Sequence, residues 1–266
     1  MNMMDSMSNQ KIIVVCLEGC HGCGKTSLCE EFEARGYRVL DEAFMDVPSY
    51  ALHPQTLLME TSWVCSWFER VLRLASRVRL DKTMQNRPHV YIADRSPFSA
   101  VFYARTGRLL EPVIRAQQEE VEQAKNVQFY TVNINVEPEL LWERIQARLE
   151  REPERVRFNE HKRSWMEQTL DFYNNFKWDF QVQNGVCSVS TVVDNITKEL
   201  CERDGAFRDV HARKKSQFLC DSSFTSTDSD EEIAHEISSD DGCISPIAED
   251  FGPSIISFNN FSMEDF

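Results

Sequence analysis

The chain has 266 residues, 42% of them hydrophobic and 27% charged, which is enough to fill one sizeable core and leave a segment over. Its net charge of −14 is uneven: every Lys and Arg lies at or before Lys215, and the remainder carries 12 acidic residues. A nearly neutral body with an acidic end argues against a nucleic-acid backbone as the main ligand, and no apolar run approaches the ~18 residues of a membrane span.

Residues 1–10, MNMMDSMSNQ, are polar and hold no basic residue, so a disordered lead-in is expected rather than an Arg-rich presequence. The chain is then organised around residues 11–30, KIIVVCLEGCHGCGKTSLCE. Ile12 to Leu17 form a continuous apolar run, as a strand buried on both faces would. Gly19-Cys20-His21-Gly22-Cys23-Gly24-Lys25-Thr26 fits G-x-x-x-x-G-K-[ST] at every fixed position, and Ser27 onward reads as the opening of a helix. In that context the loop N–H groups and the helix N-terminus cradle a phosphate. Lys25 would reach the β- and γ-phosphates of ATP, and the Thr26 hydroxyl would ligate Mg²⁺. Cys20 and Cys23 have C-x-x-C spacing, but inside a phosphate loop they read as small loop-filling residues. Nine cysteines without a disulfide spacing and without a preceding signal peptide predict a reducing, cytoplasmic setting.

A helix to about Ala34 ends at Gly36, and residues 37–40 form a second strand running into Asp41 and Glu42. Strand C-termini line the crevice in doubly wound sheets, so these carboxylates are active-site candidates; solvated turn acids are the plainer alternative. A long helix over residues 55–80 is apolar around much of its circumference and carries Arg70, Arg73, Arg77 and Arg79 in its second half. Residues 88–93 read as a third buried strand, ending in Asp94-Arg95-Ser96-Pro97. Asp94 stands where such domains place a Mg²⁺-associated acid. A helix from Phe98, a break at Gly107 and a helix over 111–125 follow, then a fourth strand over 128–134. A helix from Pro138 aligns Arg144, Arg148, Arg151 and Arg155 on one stripe, with Arg157 beyond. These arginines suit a phosphate-clamping lid broken at Pro153, although interleaved glutamates also fit a solvated, ion-paired helix. A helix over 159–180, a fifth strand over 187–193 and a helix capped by Asp194 and reaching about Glu202 complete the expected body.

The alternation predicts an α/β, P-loop NTPase fold: a five-stranded parallel sheet with helices on both faces and an Arg-rich lid. The expected domains are a lead-in over 1–10, a kinase domain over 11–203 and an acidic, Ser-rich, disordered tail over 204–266. The tail's Phe251, Phe258, Phe261 and Phe266 would be anchors for a protein partner. A homodimer is the other assembly considered; no nucleic acid or membrane contact is expected.

Over residues 11–203 the chain resembles the deoxyribonucleoside kinase and thymidylate kinase group of phosphate-loop kinases. Four pieces carry the resemblance. Residues 17–27, from Leu17-Glu18-Gly19 to Lys25-Thr26-Ser27, are similar to L-E-G-x-x-G-x-G-K-[ST]-[ST]; Glu42 matches the acid of E-P-V; Asp94-Arg95-Ser96 matches [DE]-R-[SYFW]; Arg144-Ile145 with Arg148 resembles the start of the lid. The resemblance implies ATP and Mg²⁺ as cofactors, with Gly19 to Ser27 and Arg144, Arg148 and Arg151 binding nucleotide. It further implies Glu42 as general base, Lys25, Asp94 and Arg95 as its catalytic companions, and Mg²⁺ on Thr26 and Asp94. The acceptor would be a nucleoside 5′-hydroxyl or, with Arg70, Arg73 or Arg77 as extra cations, a nucleoside monophosphate. Ala43 departs from the usual proline, and no glutamine near residues 63–70 matches the family's base reader. Those departures keep open a reading of another class, a nucleotide-binding switch or scaffold working through its tail.

Overall fold

A computed structural model describes residues 10–42, 52–84 and 86–223. Residues 1–9 of the expected lead-in, Ala43 and the phenylalanines of the acidic tail lie outside these residues. Five strands, β1 (Ile12–Glu18), β2 (Arg38–Leu40), β3 (His89–Asp94), β4 (Val127–Asn135) and β5 (Phe180–Gln183), form one parallel sheet in the order β2-β3-β1-β4-β5. The helices are α1 (Lys25–Ala34), α2 (Leu57–Leu80), α3 (Ser99–Tyr103), α4 (Leu110–Lys125), α5 (Pro138–Arg151), α6 (Arg163–Asn175), α7 (Val189–Arg203) and α8 (Gly205–Ser223). Short 3₁₀ turns occupy Gly107–Leu109 and Pro153–Phe158.

The central strand β1 explains the layering. Successive side chains of a strand point to opposite faces. Ile13, Val15 and Leu17 therefore join Leu28, Phe32, Leu141, Ile145, Val192 and Ile196 of α1, α5 and α7 in one core. Ile12, Val14 and Cys16 join Trp63, Trp67, Val71, Ile114 and Phe172 of α2, α4 and α6 in the other. A strand buried on both sides must be apolar throughout, which is how β1 reads. This is the P-loop NTPase fold, a parallel sheet with helices on both faces, as the alternation predicts.

The expected fifth strand over 187–193 is corrected. That β-branched run opens α7, whose N-cap Ser188 accepts a hydrogen bond from the Thr191 N–H at 3.2 Å. The strand is the shorter Phe180–Gln183, in register with Val132–Asn135 of β4. It starts at the last residue of the helix expected over 159–180, which stops instead at Asn175. Asp194 is accordingly no cap; it sits inside α7 and pairs with Arg35 at 2.5 Å.

The boundary expected at residue 203 is also shifted. α8 follows α7 directly, and its Phe207 and Val210 are buried in the first core, Phe207 stacking on Tyr37. Asp204, at the junction, is buried and holds Lys11 at 2.8 Å and the Tyr130 hydroxyl at 3.0 Å.

Candidate active site

The loop between β1 and α1 is built on backbone that only glycine adopts easily. Gly19 has φ 144° and Gly24 φ 96°. A Cβ at Gly19 would stand 2.7 Å from the Ile134 carbonyl oxygen, and one at Gly24 would stand 2.8 Å from Asn184 Nδ2. Asn184, just beyond β5, donates to the Cys23 carbonyl at 2.7 Å and clamps the loop from behind. Cys20 and Cys23 are buried in the first core, and burial pushes the Cys20 thiol up, away from the thiolate a redox pair needs. Lys25 is buried, with Nζ donating to the carbonyls of Gly19 at 2.8 Å and Cys20 at 3.2 Å, so its ammonium is held inside the curl of the loop.

Thr26 Oγ1 donates to Asp94 Oδ2 at 3.0 Å, joining the first turn of α1 to the end of β3. Asp94 is buried, and its Oδ1 has no hydrogen-bond partner among the described residues. A buried carboxylate oxygen without a donor, beside a hydroxyl, fits a hard cation that takes oxygen ligands and keeps part of its water shell.

Glu18 is fully buried one residue before the loop. Its Oε1 accepts from the Ser96 N–H at 2.7 Å and the Ser96 hydroxyl at 2.5 Å, and its Oε2 from Ser99 at 2.8 Å and Tyr173 at 3.1 Å. Burial raises its affinity for a proton, and the hydrogen bonds oppose that rise. Structurally, the network ties the turn after β3 to the phosphate loop. Arg95, in that turn, adopts φ 74°, a strained conformation for a non-glycine residue that costs of order 1 kcal/mol. Its backbone N–H donates to the Leu17 carbonyl at 3.1 Å, and its guanidinium lies 5.0 Å from the centre of the Tyr103 ring. Nε lies 2.9 Å from Glu42 Oε1.

The two adjacent acids after β2 are thereby separated. Glu42 turns in towards Arg95, whereas Asp41 is exposed and pairs outward with Arg70. Glu42 and Arg95 line a cavity of about 270 Å³ that also takes His21 of the loop, Glu60 and Trp63 of α2, and Arg155 and Arg157 of the 3₁₀ turn. The remaining cations named from sequence stand elsewhere. Arg73 pairs with Glu69 at 2.6 Å and, with Arg77, lines a separate shallow depression.

The arginines expected in the lid stand in different places. Pro153 does end α5, but Arg144 donates to the carbonyls of Asn184 and Gly185 at 3.1 and 2.7 Å, behind the loop. Arg151 is exposed and donates to the Ala147 carbonyl at 3.2 Å, while Arg148 pairs with Glu152 at 3.2 Å. The guanidinium groups that line the cavity are Arg155 and Arg157, further along the chain. Arg155 is held by Glu152 and by Glu160 at 3.2 Å.

Sequence reasoning missed Glu60, Asn184 and Glu160. Only Glu60 carries a signal: it shares the buried stripe of Trp63, Val64 and Trp67, where an acid is out of place. Burial, reinforced by Glu42 and opposed by Arg95, pushes its carboxyl up to about 8. His21 is moved the other way, to about 3, by burial and the nearby charges of Lys25 and Arg95, and its Nε2 has no partner among the described residues.

A glycine-rich loop closed on a lysine, a hydroxyl–carboxylate pair at its edge and a crevice at the strand ends define a P-loop nucleotide-binding protein. Residues 14–173, more than half of the chain, match the model of the family described as AAA domain, and the chain belongs to that family. No curated protein matches it. Among solved structures it is similar to a gluconokinase from Sinorhizobium meliloti 1021, at 16% identity and a TM-score of 0.40, over 78% of this chain and 97% of that one. It is also similar to deoxyadenosine kinase from M. mycoides with products dCMP and dCDP bound, at 13% identity and a TM-score of 0.43, over 72% of this chain and 100% of that one. The same enzyme with bound dATP gives 15% identity and a TM-score of 0.43, over 70% and 98%. Among the described residues no helix is long and apolar enough to cross a membrane.

Proposed function

We propose that the protein transfers the γ-phosphoryl group of ATP to the 5′-hydroxyl of a nucleoside or deoxynucleoside. The observation that carries this reading is the shared cavity. The phosphate loop contributes His21 to its wall, and a carboxylate, Glu42, faces the same space on the arm of Arg95. A base and a phosphate cradle opening onto one crevice are what hydroxyl phosphorylation needs.

Glu42 takes the proton from the 5′-hydroxyl as that oxygen bonds to the γ-phosphorus and the bond to the β–γ bridging oxygen breaks. The products are ADP and a 5′-monophosphate. Arg95 keeps Glu42 turned inward and holds the sugar end of the acceptor. Lys25, released from the Gly19 and Cys20 carbonyls, exchanges them for phosphate oxygens. Mg²⁺ on Thr26 and Asp94 would supply charge neutralisation for those oxygens. Arg155 and Arg157 are assigned the approach to the transferring group that the resemblance implied for Arg144, Arg148 and Arg151. Catalysis here is mostly placement and electrostatics.

The cavity favours a neutral acceptor over a monophosphate. Glu42, Glu154 and Glu160 line it together with Arg95, Arg155 and Arg157. Arg95 and Arg155 are already paired to two of these acids, and Arg70 and Arg73 are paired to Asp41 and Glu69. An incoming phosphate would have to compete with these carboxylates for guanidinium groups that are already engaged. The test is a panel of nucleosides and nucleoside 5′-monophosphates with ATP·Mg²⁺, read by ADP release and product identification. Formation of 5′-monophosphates from nucleosides supports the reading; diphosphates formed from monophosphates alone would replace it.

A further inference from the structure

Within the cavity, Glu60 has no place in the chemistry just described, and its surroundings say what it does. It stands in the first turn of α2 and is 3% exposed, yet its carboxyl makes no hydrogen bond or salt bridge to a described residue. A buried carboxylate without a partner costs several kcal/mol, so one on a cavity wall awaits either a counter-ion or a proton.

Among the described residues, no cation forms an ion pair with it. From the turn after β3 comes Arg95, whose charge opposes the rise in the carboxyl's proton affinity but whose Nε stands 2.9 Å from Glu42, and Glu42 itself adds a repelling charge from the end of β2. From the loop, His21 is uncharged, and from α3 the Tyr103 phenol is kept protonated by burial. From the 3₁₀ turn, Arg155 is taken up by Glu152 and Glu160, Arg157 lies over the ring of Phe158 at 4.6 Å, and Glu154 brings a further negative charge to the wall. A proton is what remains. Trp63 and Trp165 add flat apolar surface beside it.

A protonated carboxyl presents one donor and one acceptor side by side in a plane, the same pattern as a primary amide. We propose that Glu60 reads the acceptor as a neutral carboxyl, pairing in a two-bond ring with a planar heterocycle edge that carries a hydrogen-bond acceptor next to a donor, as nucleobase edges do. This rests on the nucleoside reading of the cavity. It makes Glu60 a specificity residue: sugars without a base, and rings lacking that edge, would leave the buried carboxyl unsatisfied and bind poorly. It also gives acceptor binding a sign in pH. Once the carboxyl ionises, above about 8, it repels the acceptor atom of the edge, and affinity falls.

The test measures binding of the four 2′-deoxyribonucleosides, and of deoxyribose alone, to the full chain by calorimetry without ATP, from about pH 6 to pH 9.5, alongside turnover with ATP. Three proteins are compared: wild type, Glu60→Gln and Glu60→Leu. Expected is binding of at least one nucleoside but not of deoxyribose, weakened ~30-fold or more in Glu60→Leu, restored in Glu60→Gln, with the fall at high pH present in wild type and absent in Glu60→Gln. Affinity that rises with pH, and is lost in Glu60→Gln, would overturn the proposal in favour of an ionised Glu60 reading a cationic ring. Nucleoside binding equal in all three proteins would overturn it and leave the nucleoside reading standing. Glu60-dependent binding without phosphoryl transfer would uphold it and refute the kinase reading. Failure of wild type to bind any of the four would overturn both.

Discussion

Replacing Glu60 with Gln is predicted to stabilise the protein, and increasingly so as pH rises. The carboxyl is pushed up to about 8 in the folded chain from an ordinary 4.5. Below 4.5 both folded and unfolded chains carry the proton. Between 4.5 and 8 only the folded chain holds it, so raising the pH draws the equilibrium towards the unfolded state. Above 8 both are ionised and the loss is complete. At about 1.4 kcal/mol per pK unit, the full loss is at most about 5 kcal/mol. Gln has the same shape and does not titrate. Wild type and Glu60→Gln should therefore melt together near pH 4 and separate steadily towards pH 9. For a chain of this size each kcal/mol is about 2–4 °C, so the gap should reach several degrees at least. Glu18, the other fully buried carboxyl of the site, is common to both proteins and cancels in the difference. The assay is thermal denaturation of the two proteins without ligand across that range. Melting temperatures that do not separate with pH would mean that Glu60 keeps an ordinary acidity through a partner or solvent path, and that its carboxyl is not held neutral by burial.

Lys25→Ala should reduce phosphoryl transfer by about 10²-fold or more while leaving the melting temperature close to wild type, since Nζ touches loop carbonyls rather than core side chains; this is read by ADP release together with thermal melting. Asp94→Asn should raise the Mg²⁺ concentration needed for half-maximal turnover by tenfold or more, and a metal titration of activity checks it. Ending the chain after Arg203 should cost on the order of 3–5 kcal/mol, because it removes the buried Phe207 and Val210; ending it after Lys215 keeps both and should melt near the full chain.

Much of this architecture is legible in the sequence for a physical reason: where one element does one thing, local pattern suffices. β1 is apolar throughout because both its faces are covered, and the phosphate loop needs glycines wherever its backbone turns left-handed. Asp94 and Glu42 could be placed because parallel strands deliver their C-termini to one crevice. The misreadings come where two signals compete. Val189, Thr191, Val192 and Val193 look like a strand by composition, yet Ser188 caps them into a helix, and packing of Val192, Val193 and Ile196 onto the sheet settles the matter. α8 escaped notice because its first core contacts are few and its Arg213-Lys214-Lys215 cluster resembles the start of a solvated tail. The roles of Asn184 and Glu160 are set by tertiary neighbours far away in the chain, for which no spacing rule exists. The arginines of α5 illustrate the same limit. Their helical stripe is readable, but which of them face the cavity depends on where α5 ends, and Arg155 and Arg157 face it only because the chain turns at Pro153.

We assign to Glu42, set by Arg95, the role of the base that activates a nucleoside hydroxyl beside the phosphate loop. Its most direct test is the rate of 5′-monophosphate formation from the nucleoside that the panel selects, with saturating ATP·Mg²⁺, in wild type, Glu42→Gln and Asp41→Asn. Glu42→Gln should lower kcat by about 10²–10⁴-fold with ATP affinity unchanged, while Asp41→Asn, whose carboxylate faces outward to Arg70, should turn over near-normally. Undiminished turnover in Glu42→Gln, or a collapse confined to Asp41→Asn, would contradict it.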